Sequence, residues 1–396
     1  MGPGLVVMLA DTDVGSIITA AQSGVQWGYR LLLLQLLLMP VLYVIQELTV
    51  RLGLFTGKGH GELIRETFGH GWAWVSVTGL GIASLGALLT EFSGVAGVGD
   101  LFGIPRVFSL SLSALFLLVV VLTGSYRRVE RVAILLGLFE LAFFLVAYQA
   151  HPRGAELAAG LTHMPIGDPK YLYLVAANIG AVIMPWMIFY QQSAIADKKL
   201  QPEHYVHARW DTALGAVITQ GVMAAVLIAA AATIGKVDAN ATLGSIGDVT
   251  KVLVPALGPG VGRTVFALGI MGAAMVAAIV VSLACAWGFG EVTGYRHSLE
   301  HRPLEAPWFY FIYSFAVIAG AAVVGLVPDL VALNIGVEVM NALMLPLVLG
   351  FLVLLAFRAL PPEHRPRGLY AVVVIGISVL TAGLAVYGGL SGAHLF

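Results

Sequence analysis

The chain is dominated by a succession of apolar stretches, each about as long as one helix needs to cross the ~30 Å hydrocarbon core of a bilayer. Eleven can be marked, at approximately 2–26, 29–52, 72–99, 105–124, 129–150, 171–195, 211–235, 260–291, 307–328, 331–357 and 368–391. Inside a bilayer no water satisfies backbone N–H and C=O groups, so only helices or closed barrels span it. These runs are continuous rather than alternating, which selects helices. A soluble domain carries about a quarter charged residues; here the share is 11%, against 59% hydrophobic. The expected fold class is an all-α integral membrane protein of about 11 transmembrane helices.

Short connections separate most of the spans. The two longer ones, 151–170 and 236–259, contain Pro, Gly and polar residues and read as ordered caps outside the bilayer. The start, Met1-Gly-Pro-Gly, has no basic region and is not read as a cleaved signal. If the N-terminus faces the cytoplasm, inner loops hold fourteen of the 21 Lys and Arg residues and outer loops hold seven. That asymmetry favours the N-terminus inside and, with an odd number of spans, the C-terminus outside. A net charge of −1 and no basic tract give no sign of a nucleic-acid partner, and nothing in the sequence demands more than a monomer. The single Cys285 excludes an intrachain disulfide and a thiolate metal cluster.

Two spans are interrupted in a similar way. In the first, Ala10-Asp-Thr-Asp-Val-Gly-Ser16 puts two carboxylates and a glycine where a helix should be apolar. In the sixth, Pro185 follows Met184 at mid-span and leaves a carbonyl near Ala181 without its helical donor. Ordinary kinks would interrupt two helices as well. Broken helices at corresponding places, however, point to a transporter built from inverted repeats with its site at the midplane.

Ionisable side chains at bilayer depth are costly and usually functional. Here the deep ones share one sign: Asp11 and Asp13 in the first span, Glu91 in the third, Glu140 in the fifth and Glu338 in the tenth. No Lys or Arg is placed at mid-span to neutralise them. Each must be protonated or paired with a mobile cation, which argues for a cation path. Glu91 and Glu140 are also compatible with protonated residues hydrogen-bonded between helices, and for Glu140 this is the preferred reading. All ten histidines, His60, His70, His151, His163, His204, His207, His297, His301, His364 and His394, fall in loops or at span ends. Histidine is the side chain suited to passing protons near neutral pH. Its absence from the spans weighs against proton-driven transport, with Glu91 left as the one candidate carrier.

At these residues the chain resembles the Nramp family of divalent metal transporters. The family's first-span pattern, Asp-Pro-Gly-Asn, lies within a longer context that is matched here. Gly2-Pro3-Gly4 opens the chain, Asp13-Val14-Gly15-Ser16 occupies the motif, and Gln22, Gly24, Gln26, Gly28 and Tyr29 follow in register. Thr56-Gly57-Lys58, Phe102-Gly103-Ile104-Pro105, Ile179 to Pro185 and Ser193-Ala194 also match. The resemblance implies a LeuT-like fold of two inverted five-helix repeats, 1–150 and 171–357, with an eleventh helix at 368–391. It implies metal coordination by Asp13, by the Ala181 carbonyl and by the Met184 sulfur, with Ser16 at the position of the ligating Asn. Glu338 aligns with a glutamine close to the metal.

The departures are informative. Val14 replaces the motif Pro, and Trp186 and Gln192 stand where the family has two histidines associated with proton coupling. This pattern resembles the divergent Nramp-related magnesium transporters. Gaining Asp11, Thr12 and Glu338 while losing an amide enriches the pocket in hard oxygen, which suits Mg²⁺. Retaining Met184 suits softer ions such as Mn²⁺, although a packing residue beside Pro185 would look the same. Glu91, Gln192 and Trp186 are assigned to the pathway, Trp186 as a wall rather than a ligand. The expected function is secondary import of Mg²⁺ and also Mn²⁺ across the cell membrane without proton coupling and without a resident cofactor. The alternatives are a proton-coupled Mn²⁺/Fe²⁺ importer, an amino-acid transporter on the same scaffold, and a non-transporting receptor. An enzyme is not expected, since no nucleophile–base set or nucleotide-binding loop is present.

Overall fold

The computed structural model describes residues 2–123, 125–233, 243, 246–253, 260–326 and 331–393. Every regular element among them is helical. The first span is split into α1 (Pro3–Asp11) and α2 (Val14–Trp27), followed by α3 (Leu32–Thr56), the short α4 (His60–Phe68), α5 (His70–Leu101) and α6 (Arg106–Leu122). The fifth span is α7 (Tyr126–Gly137) and α8 (Ala142–Gln149), joined by a 3-10 turn over Leu138–Leu141. After α9 (Gly154–Thr162) the sixth span is split into α10 (Pro169–Val182) and α11 (Pro185–Asp197). Then come α12 (Tyr205–Thr233), α13 (Ile246–Leu253), α14 (Val261–Thr293), α15 (Pro307–Leu326), α16 (Val331–Arg358) and α17 (Gly368–Ala393).

Nine helical runs among the described residues are long and apolar enough to cross a membrane. The run Val14–Thr56 contains two of the expected spans, because Gly28 at φ +60° turns the chain between α2 and α3. α6, an apolar helix of 17 residues, lies where the fourth span was expected and is shorter than the nine. The seventh span begins at Tyr205 rather than at residue 211, extended by polar turns that project beyond the apolar core. The 3-10 turn in the fifth span was not expected from the sequence. Of the two long connections, 151–170 carries α9; in 236–259 only α13 and Leu243 lie within the described residues, and 236–242, 244–245 and 254–259 lie outside them, as does His394.

Burial runs opposite to that of a soluble protein at the periphery. Leu112, Leu115 and Val119 on α6, Phe311 and Phe315 on α15, and Val372 and Val379 on α17 are exposed. Large apolar side chains facing outward on long helices suit a hydrocarbon environment. The broken sixth span is central instead: 83% of its most apolar window is buried, against 22% for α17. The halves of the two broken spans meet crosswise, α2 against α10 and α1 against α11. Close approach depends on small residues, as is usual where helices associate in lipid. A Cβ on Gly180 of α10 would lie 1.9 Å from the Glu338 carbonyl oxygen of α16, and one on Gly24 of α2 would lie 2.3 Å from the Leu227 carbonyl of α12.

Candidate metal site

Pro185 has no N–H, so the carbonyl four residues back, that of Ala181, loses its intrahelical donor. α10 accordingly ends at Val182 and α11 restarts at Pro185, with Met184 in extended geometry between them (φ −97°, ψ 142°). The Ala181 carbonyl is met from the other broken span, where the Ser16 hydroxyl donates to it at 2.9 Å. Asp13 caps α2, its Oδ1 accepting from the Ser16 N–H at 2.7 Å. That is an ordinary helix-capping role for aspartate. Its other oxygen, Oδ2, is buried without a hydrogen-bond partner.

Two further carboxylates approach this junction. Glu91 of α5 accepts from the Val14 N–H at 3.3 Å through Oε2, and its Oε1 is unpartnered. Glu338 of α16 accepts from Asn341 at 3.2 Å through Oε2, while its Oε1 lies 2.2 Å from where a Gly15 side chain would begin. The structure therefore brings Asp13, Ser16, the Ala181 carbonyl, Glu91 and Glu338 together. Met184 heads α11 at the same break and is fully buried. Trp186, two residues further, is fully buried too, with its indole N–H unpartnered.

Asp11 and Thr12 face a different neighbour. Asp11 Oδ2 accepts from Thr219 at 3.3 Å and from Gln220 at 3.4 Å, and the Thr12 and Thr219 hydroxyls are 2.7 Å apart, all on the α12 side. Among the described ion pairs none involves Asp11, Asp13, Glu91, Glu140 or Glu338. Nor do the described residues bring together three or more His, Cys, Asp or Glu side chains able to hold a metal unaided. An ion here needs the backbone carbonyl, the hydroxyl or the thioether as well.

Gln192 lies two turns beyond the break and reaches no part of it. Its Oε1 accepts from His60 Nδ1 at 2.9 Å and its Nε2 donates to the Lys58 carbonyl at 3.0 Å. His60 is the residue the sequence reading missed. It belongs to the short α4 outside the spans, yet it is buried, edge-on to Phe189, and burial pushes its pKa down to about 4. The imidazole is thus neutral at pH 7. A loop position hid it, although the glycines on either side were a usable signal. Glu291 of α14 fits against both, accepting from the Gly61 N–H at 2.8 Å and from the Ser193 hydroxyl at 2.5 Å, where any side chain on Gly59 would collide with it. A cavity of about 430 Å³ opens beside Glu291, lined also by Ser193, Asp197 and His297.

Residues 4–391 match the family model described as natural resistance-associated macrophage protein-like. The chain belongs to the Nramp family. It is 28% identical over 298 residues to a divalent metal cation transporter MntH of Bradyrhizobium diazoefficiens, covering 72% of this chain and 66% of that protein. Against the protein of the same description from Chromohalobacter salexigens the figures are 29% over 298 residues, 71% and 68%. The matched region thus spans about two thirds of these relatives' length. A crystal structure of the Eremococcus coleocola manganese transporter superposes with a TM-score of 0.79 over 98% of this chain and 85% of that one, at 20% identity. A crystal structure of MhsT in complex with L-phenylalanine superposes with a TM-score of 0.64 at 15% identity, over 98% of each chain. At such identities the likeness shows the fold alone. This Nramp chain is an all-helical integral membrane protein with a LeuT-like fold, and the fold alone leaves the cargo to be argued from the site.

Proposed function

We propose that the protein carries divalent metal cations, Mg²⁺ and Mn²⁺, by alternating access and without moving protons. The observation that carries this reading is the unpartnered Asp13 Oδ2, buried beside the break of both interrupted spans with no cationic side chain among the described residues to pair it. Asp13, Ser16, the Ala181 carbonyl, Met184 and Glu338 supply the ligands, with Glu91 lining the approach and Asp11 and Thr12 on the α12 side. The names of the MntH relatives and of the manganese transporter support a divalent cargo. An amino-acid cargo fits poorly, since its carboxylate would enter beside Asp11, Asp13 and Glu338. The two repeats, 1–150 and 171–357, would rock against each other around this point, with the N-terminus cytoplasmic and the C-terminus outside.

A proton-coupled Mn²⁺/Fe²⁺ importer is the second reading, and the buried His60 on Gln192 is the observation that favours it. Its depressed pKa argues the other way, because a group neutral from about pH 4 upward does not change charge during transport near neutral pH. Metal uptake into proteoliposomes with an internal pH indicator separates the two. Uptake of Mg²⁺ and Mn²⁺ should proceed with no change in internal pH. Metal-dependent acidification that disappears in Glu91→Gln or His60→Gln would establish coupling and name its carrier.

Selectivity follows from the donors. Mg²⁺ prefers octahedral oxygen at ~2.0–2.1 Å and keeps several waters, whereas a thioether suits softer ions. Met184→Ala should lower Mn²⁺ uptake roughly tenfold, the equivalent of about 1.4 kcal/mol, and leave Mg²⁺ uptake near wild type. Glu338→Gln should do the reverse. Equal losses of both ions in both variants would sink this assignment of ligands.

A further inference from the structure

The carboxylate the sequence reading set aside, Glu140, stands in the most unusual surroundings. It lies on the 3-10 turn that interrupts the fifth span, is fully buried, and has no hydrogen-bond partner on either carboxyl oxygen. The Thr12 hydroxyl and the Asp11 charge face it. Asp11 ends α1, where the last carbonyls of a half-helix concentrate partial negative charge. Its Oδ2 accepts only long hydrogen bonds, from Thr219 and Gln220, and its Oδ1 has no partner. Gln220 points its Nε2 at Asp11, which leaves Oε1 of the same amide buried and unpartnered.

Asp11 of α1 and Glu140 of the 3-10 turn thus bring buried carboxylate oxygens to one place, where the donors among the described residues are the neutral Thr12 and Thr219 hydroxyls and the Gln220 amide of α12, whose unpartnered Oε1 would face Asp11 if the amide were turned end for end. Native proteins leave few such atoms, and each calls for an explanation. Two carboxylates, an amide oxygen and two hydroxyls form a hard oxygen set, the kind that magnesium and calcium select. Their formal charge of two matches a divalent cation and would leave a monovalent ion with a buried negative charge still uncompensated. Half-helix C-termini are also where membrane transporters bind cations.

We infer that Asp11, Glu140 and Gln220, with the Thr12 and Thr219 hydroxyls, hold a second divalent cation on the α1 side of Asp13. The inference rests on the divalent-cargo reading and adds a second stop to the path. Its five side chains are distinct from the Ser16–Ala181 junction, although the Asp13 charge faces both Asp11 and Glu140.

Counting ions tests it. The full chain, purified in detergent, is dialysed against saturating MgCl₂ or MnCl₂, and bound metal per chain is measured by plasma emission. Wild type should hold two ions. Glu140→Gln and Gln220→Leu should each hold one, and Asp13→Asn should also hold one. All variants are checked by gel filtration, and Gln220→Leu carries the test should Glu140→Gln fail to fold. A single ion in wild type, lost in Asp13→Asn, would overturn the second site and leave the proposed function standing. No ion in wild type would sink both. Two ions retained in folded Glu140→Gln and Gln220→Leu, or a second place filled by Na⁺ in preference to the divalent ion, would also overturn it.

Discussion

Asp13→Asn should fold, insert and fail to transport. The two oxygens of Asp13 do different work. Oδ1 caps α2 through the Ser16 N–H, a contribution of about 1 kcal/mol that an asparagine oxygen can replace. Oδ2 is buried and unpartnered, so it is the oxygen available to an ion. Each pair of unit charges 4 Å apart at an effective dielectric of 20 attracts by about 4 kcal/mol, and a dication doubles that before its own desolvation is subtracted. Even a third of that sum corresponds to about a hundredfold in affinity. Uptake of Mg²⁺ and Mn²⁺ by Asp13→Asn in proteoliposomes should therefore fall at least ~100-fold, to background. Asp13→Ala should be equally inactive and also somewhat less stable, because it removes the cap. Comparing the two separates charge from capping. Asparagine transporting like wild type, with alanine defective, would reduce Asp13 to a helix cap and remove it from the ion path.

Why the place of Asp13 at a helix break was legible in the sequence, and the surroundings of Glu140 were not, is a matter of which interactions are local. A proline removes one hydrogen bond at a fixed offset of four residues, so Pro185 pointed to Ala181 with no knowledge of the fold. An aspartate in an apolar run signals a helix restart for similarly local reasons, and Asp13 caps the helix that begins at Val14. That the Ser16 hydroxyl would meet the freed carbonyl depends on two half-helices crossing, which no spacing rule contains. Glu140 occupied an otherwise regular apolar stretch, and the turn that presents it comes from packing: a Cβ on Gly137 would lie 2.7 Å from Leu9, and one on Gly272 of α14 2.4 Å from the Leu136 carbonyl. His60 was lost for the opposite reason. Its neighbours are polar and glycine-rich, which reads as a solvated loop, and only tertiary contact with Phe189 and Gln192 buries it. The apolar period located the spans to within a few residues almost everywhere. It erred most at the start of α12, where polar turns continue the helix outside the apolar zone.

Those polar turns carry the second large effect, at Glu47. This buried carboxylate of α3 accepts from Arg51 at 2.7 and 3.2 Å and from the hydroxyls of Tyr205 and Tyr370, with Arg209 at 3.9 Å. Arg51 in turn stacks over both tyrosine rings and donates to the His364 carbonyl at 3.0 Å. One side chain thereby ties α3 to the start of α12 and to α17, the helix appended after the two repeats. Glu47→Ala leaves a half-buried guanidinium and two hydroxyls without their acceptor. Breaking a buried pair on one side typically costs about 3–5 kcal/mol, so the melting temperature in detergent should fall by about 5 °C or more. Tyr370→Phe removes one donor and keeps the ring, and should cost only about 1 kcal/mol. Arg51→Met, which withdraws the charge and preserves the stem, should be milder than Glu47→Ala, because the two tyrosines still satisfy the carboxylate. If Glu47→Ala melts with wild type, the cluster is a surface feature and α17 is held by apolar contacts alone. If instead all three variants lose the same stability, the tyrosines and Arg51 act as one unit, and the appended helix depends on the network as a whole.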